Sequence, residues 1–87
     1  MGTLNVSVVA ADREIWTGAA QQVTAKTSEG EIGILSGHEP LLAVLASGEV
    51  RVTKTDGSKL VVDATDGFFS VDHDQVNVVA GAATIVS

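Results

Sequence analysis

Glu49-Val50-Arg51-Val52-Thr53-Lys54-Thr55-Asp56-Gly57-Ser58-Lys59-Leu60-Val61-Val62-Asp63 sets an Asp-Gly pair between two alternating runs. Val50 and Val52 oppose Glu49, Arg51 and Thr53, and Leu60 and Val62 oppose Lys59 and Asp63. Alternation of this kind marks a strand with one buried and one wet face. An Asp-Gly pair between two such strands predicts a two-residue hairpin with positive backbone angles. Working outward, Leu4, Val6 and Val8 share a face opposite Asn5 and Ser7, and Val76 and Val78 flank Asn77. Asp66-Gly67 repeats the turn signal before Phe68, and Ser28-Glu29-Gly30-Glu31 predicts a turn between residues 23–27 and 32–34. No window of ten or more residues has helical periodicity, and the short apolar run 41–46 reads as a strand. The expected fold is all-β, an antiparallel β-sandwich or flattened barrel of about eight to ten short strands.

A chain of 87 residues makes a single domain, spanning residues 1–87, and its 45% hydrophobic content is enough for a core rather than a disordered segment. There is no cysteine, which removes thiol nucleophiles and Cys-ligated zinc and leans toward a reducing compartment. Five basic against eleven acidic residues give a net charge of −6, so neither nucleic acid nor an anionic lipid surface is a natural partner. The apolar run 41–46 is far below the roughly 20 residues of a spanning helix. Residues 1–5 have neither the basic start nor the apolar centre of a secretory signal.

Candidate chemistry is sparse. His38 and His73 are the two histidines. Ser36 stands near His38, but Gly33-Ile34-Leu35-Ser36-Gly37 lacks the Gly-x-Ser-x-Gly spacing of a nucleophile elbow, so His38 reads as a loop residue that hydrogen-bonds or packs. Asp72-His73-Asp74, with Asp63 and Asp66 nearby, offers metal-ligating types. Strand alternation would send Asp72 and Asp74 to one side and His73 to the other, so the triplet reads as a solvated turn before the Val76 strand. Trp16 reads as a core anchor. No catalytic residue, metal ligand or cofactor is expected.

Glu29-Gly30-Glu31-Ile32-Gly33-Ile34-Leu35-Ser36-Gly37-His38-Glu39-Pro40-Leu41-Leu42 closely resembles the signature of the epsilon subunit of F-type proton-translocating ATP synthases. The likeness extends to residues 4–11, to Ile15-Trp16-Thr17-Gly18, to Gly48-Glu49-Val50-Arg51-Val52, and to the Gly67-Phe68-Phe69-Ser70-Val71 and Val76-Asn77-Val78-Val79-Ala80 segments, and so covers essentially the whole chain. Ser36 replaces the family's usual proline before Gly37, and Asp66 stands where glycine is common.

The resemblance implies a non-catalytic domain at the foot of a rotating stalk, with the gamma subunit and the ring of c subunits as partners. The acidic turn Ser28, Glu29, Gly30 and Glu31 would meet the ring, whose loops carry arginine in the family. Ala10, His38 and Ala43 align with positions that face gamma. The complex would hold the domain at the cytoplasmic face of a bacterial plasma membrane or the equivalent organellar face. The family normally continues into a C-terminal helical hairpin that inhibits hydrolysis, so a chain that stops at Ser87 is expected to lack that regulation. The alternative from another class is a free-standing β-sandwich module for carbohydrates or small acids. An enzyme is a distant third.

Overall fold

The computed structural model describes residues 2–86. It contains six strands: β1 Leu4–Ala10, β2 Arg13–Thr27, β3 Gly30–Leu35, β4 Leu41–Lys54, β5 Lys59–Asp72 and β6 Gln75–Ile85. The sheet order is β1-β6-β5-β4-β2-β3, and β1 also pairs with β2, which closes five strands into a ring. Among the described residues β3 pairs with β2 alone. Closure satisfies most strand edges, which would otherwise be open to foreign strands.

The all-β expectation holds, with fewer and longer strands. β2, β4 and β5 have 15, 14 and 14 residues and run through both halves of the flattened barrel instead of breaking into separate strands. β2 serves three neighbours in this way. Its first half pairs with β1, its second half with β3, and β4 lies along its opposite edge. One pairing departs from an antiparallel plan. β1 and β6 run parallel, from Asn5↔Gln75 to Ala10↔Ala80. A parallel pair needs a long crossover; here everything between the two strands supplies it.

Two turns differ from their sequence signals. Asp56-Gly57 lies in a four-residue loop between Lys54 and Lys59, and of the two only Gly57 has positive φ, at 89°. The Asp56 carboxylate accepts the Ser58 hydroxyl at 2.6 Å and the Ser58 amide at 2.9 Å, an Asx-type turn that organises the loop through a side chain. Asp66-Gly67 is not a turn at all. It sits inside β5, with Thr65↔Ala82 and Gly67↔Ala80 paired on either side and Asp66 in the left-handed region at φ 57°. The compact two-residue hairpin is instead at His73-Asp74, with φ of 49° and 62°.

The barrel interior is filled by one residue in two along each strand. Leu4, Val6 and Val8 of β1, Val23 and Ala25 of β2, Ile34 of β3, Val50 and Val52 of β4, Val62 and Phe69 of β5, and Val76 and Val78 of β6 are all buried. Trp16 is half-buried at the margin of this core, with the Lys54 ammonium 5.5 Å from its ring centroid. Its indole lies across Gly18, where an added Cβ would stand 2.6 Å from Trp16 Cζ2. The aromatic-x-glycine spacing at 16–18 thus has a packing cause.

Candidate docking surface

The acidic turn is built by Thr27 and Gly30. Thr27, 8% exposed, donates its hydroxyl to the Gly30 carbonyl at 2.7 Å and accepts the Glu29 amide at 3.2 Å. Gly30 adopts φ 121°, where side-chain-bearing residues are strained. The turn therefore has a fixed shape, and it projects Glu29 and Glu31 as exposed carboxylates. Among the described residues neither carboxylate meets a basic side chain; the close pairings found are Arg51 with Glu49, an ion pair, and the His73 ring with Asp72. Two unneutralised charges on a rigid tip suit a cationic partner.

The Ser28 amide donates to the Val44 carbonyl at 3.0 Å and so ties this turn to β4. Val44 opens an apolar row on the outside of the barrel. It pairs directly with Phe68 on β5, Phe68 with Val79 on β6, and Val79 with Val9 on β1. Val44 is 53%, Phe68 56% and Val79 48% exposed, and Leu42, two residues before Val44 on the same face, is 72% exposed. Four large apolar side chains on adjoining strands, bordered by an acidic turn, form a contiguous patch of the kind that marks protein contact.

His38 lies in the loop after β3, exposed, with its Nδ1 2.7 Å from the Glu39 carbonyl. The loop is a β-turn in which the His38 amide donates to the Leu35 carbonyl at 3.2 Å. Ser36 does not pair with His38; its hydroxyl donates to Asp74 Oδ2 at 3.2 Å. The two carboxylates of Asp72-His73-Asp74 do not converge on a common point. Asp72 meets His73 at 2.6 Å, and Asp74 turns toward Ser36 and Gly37. Among the described residues no group of His, Asp or Glu converges as metal ligands would.

Ala10 and Ala43 point inward. Ala10 is 5% exposed beside the buried Ala80, and Ala43 pairs with the buried Phe69. Ala43 is half-buried, and the outward surface on either side of it belongs to Leu42 and Val44. The apolar row was missed in the sequence, although a signal was there. Leu41-Leu42, Val44-Leu45, Phe68-Phe69 and Val78-Val79 are adjacent apolar pairs inside strands, and adjacent strand residues face opposite sides. One member of each pair had to face outward.

A closed sandwich with a rigid acidic tip and an outward apolar row is the form of a protein-docking domain. The chain matches the family described as ATP synthase, Delta/Epsilon chain, beta-sandwich domain over residues 3–86. It belongs to that family. It is 54% identical over 85 residues to the ATP synthase epsilon chain of Micrococcus luteus, covering 98% of this chain and 93% of that one. With the ATP synthase epsilon chain of Streptomyces coelicolor it shares 43% identity over 82 residues, or 94% of this chain and 66% of that one. The fold superimposes on a chain of the Euglena gracilis mitochondrial ATP synthase, solved as OSCP/F1/c-ring in rotational state 1, with a TM-score of 0.91 and 26% identity. That match covers 98% of this chain and 54% of the other. A chain from the Tetrahymena thermophila mitochondrial ATP synthase central stalk and c-ring has the same fold, with a TM-score of 0.77, 17% identity, and coverage of 95% and 66%.

Proposed function

We propose that this domain is the epsilon-type sandwich of a rotor stalk, docking on gamma and on the c ring to couple proton translocation to ATP synthesis carried out elsewhere in the complex. It works by contact and carries no catalytic group. The complex would hold it peripherally, at the cytoplasmic face of a bacterial plasma membrane or the equivalent organellar face. One observation carries this reading: the apolar row ends at Val44, whose carbonyl holds the acidic turn by its Ser28 amide at 3.0 Å. A surface for a packed protein partner and a tip for a cationic one therefore form one rigid unit. The solved chains of like fold come from ATP synthase assemblies described by their c-ring and central stalk, which supports the same partners. His38, exposed in its loop, and the outward residues flanking the inward-facing Ala10 and Ala43 are assigned to the gamma side. Ser28, Glu29, Gly30 and Glu31 fit the ring side.

The test is charge reversal at the tip. Glu29→Lys with Glu31→Lys leaves the fold intact, since exposed turn charges contribute little to stability. Docking on the ring and ATP-driven proton pumping in membrane vesicles are expected to fall, most clearly at low ionic strength. Unchanged pumping and ring association would leave the turn as ordinary solvated chain. The carbohydrate-module alternative finds little support, because Phe68 is the one aromatic on the outward row and no stacked platform accompanies it.

A further inference from the structure

We infer that Asp74 is a positioning residue for the His38 loop, anchoring from another part of the chain a turn whose own sequence does not fix its shape. The inference rests on the reading that His38 meets gamma. Leu35-Ser36-Gly37-His38 is closed by the His38 amide on the Leu35 carbonyl at 3.2 Å, with the positive φ, 86°, at Gly37 in the third position. That is the pattern of a type II turn, in which proline at the second position presets the backbone. Here the second position is Ser36, which presets nothing.

The missing constraint comes from the β5–β6 hairpin. Asp74 Oδ1 accepts the Gly37 amide at 2.7 Å, and Asp74 Oδ2 accepts the Ser36 hydroxyl at 3.2 Å. One carboxylate thus grips both central residues of the turn. The Gly37 amide is otherwise the free donor of a type II turn, and a bond from it to an ionised acceptor is among the stronger ones. Asp74 is itself held firmly. It occupies the second of the two left-handed positions of the hairpin, at φ 62°, and its carbonyl accepts the Asn5 amide of β1 at 2.8 Å. The loop that presents His38 is therefore referenced to the β1–β6 seam of the barrel, though 37 residues separate Gly37 from Asp74 in sequence.

The experiment uses the 87-residue chain with purified gamma. Asp74→Gly keeps the left-handed turn and deletes the carboxylate; Asp74→Asn keeps an acceptor. Ser36→Pro, added to Asp74→Gly, restores a preset backbone by other means. Exchange of the Gly37 amide, read by NMR, is expected to speed up about tenfold or more in Asp74→Gly and much less in Asp74→Asn. Affinity for gamma is expected to fall by about three- to tenfold in Asp74→Gly and to recover in the double variant. Recovery distinguishes positioning from a merely structural role, because proline restores no bond to the β5–β6 hairpin. Wild-type exchange and wild-type affinity in Asp74→Gly, with His38→Ala weakening gamma binding, would overturn the inference. So would a loss of affinity that Ser36→Pro fails to restore. If His38→Ala leaves affinity unchanged, the docking reading fails at that residue, and Gly37 exchange alone then decides whether Asp74 anchors the turn.

Discussion

The Thr27 hydroxyl donates to the Gly30 carbonyl at 2.7 Å while accepting the Glu29 amide at 3.2 Å, so a nearly buried side chain sets the shape of an exposed acidic tip. Strand β2 ends and β3 begins around this one group. The relationship separates shape from charge at the tip, because Thr27 provides the first and Glu29 and Glu31 the second.

Thr27→Val, similar in volume, removes both bonds and leaves the Glu29 amide and the Gly30 carbonyl to solvent or to nothing. The expected cost is about 1–2 kcal/mol of stability, with the fold retained. Urea denaturation gives the stability change, and faster amide exchange at Glu29 gives its location. Docking on the ring is expected to weaken although both carboxylates remain. A variant as stable as the parent, with unchanged exchange at Glu29, would show that the turn holds its shape without the hydroxyl.

Gly67 answers to a different constraint. A Cβ there would overlap the Val79 carbonyl oxygen and lie 2.6 Å from Ala80 Cα, both backbone atoms of the neighbouring strand. Backbone paired in a closed barrel cannot move aside cheaply. Gly67→Ala is expected to cost about 2–4 kcal/mol, lowering the melting temperature by roughly 10 °C or more. Gly33→Ala is the control, since its added Cβ meets only Gln22 Nε2 at 3.6 Å. It is expected to change stability by less than about 1 kcal/mol. Equal melting temperatures for the two variants would refute the packing argument.

The alternation at Val50, Val52, Leu60 and Val62 and at Leu4, Val6 and Val8 made the strand class legible, because a period of two follows directly from the pleat. The acidic turn was legible for a similarly local reason. What the sequence hid was non-local. Asp66-Gly67 looks like a turn, yet cross-strand pairing on both sides carries β5 through it. The parallel β1–β6 seam depends on where the chain ends up after four intervening strands. Asp74 reads as part of a solvated turn, and its grip on Gly37 joins segments no local pattern connects. Ala10 and Ala43 came from family likeness, and the structure shows them facing inward beside the residues that face out.

Asp56 makes its hairpin sensitive to acid. Hydrogen bonds from the Ser58 side chain and then its amide hold the Asp56 carboxyl below its ordinary value, aided by the positive charge of Lys54. A carboxylate with a depressed folded-state pKa contributes stability that is present above its unfolded value and is lost as pH falls through the folded one. The loop is therefore expected to loosen only in strong acid. Ser58→Ala is expected to move the Asp56 titration upward toward the ordinary value, as read by NMR of the carboxyl carbon. An unmoved titration would assign the depression to some other neighbour.

The two adjacent phenylalanines give the sharpest test of the docking face. Phe68 and Phe69 differ by one position in β5, so the pleat sends them to opposite sides. Phe69 is fully buried, whereas Phe68 is 56% exposed between Val44 and Val79. Phe69→Ala empties the core and is expected to cost about 3–5 kcal/mol of folding stability. Phe68→Ser removes only the partly buried side of the ring and is expected to cost about 1–2 kcal/mol, well short of the loss at Phe69. Its main effect should appear in association. An aromatic at the centre of a packed interface typically contributes 2 kcal/mol or more, so affinity for gamma is expected to fall by roughly thirtyfold or more. Val79→Ser should act in the same direction with a smaller loss, being smaller and nearer the margin. Val61→Ser, which changes a half-buried position of β5 outside the row, should leave affinity close to the parent. Denaturation curves and gamma titration on the same four preparations separate the two effects. If Phe68→Ser binds gamma as the parent does, the apolar row is not the docking face, whatever its exposure.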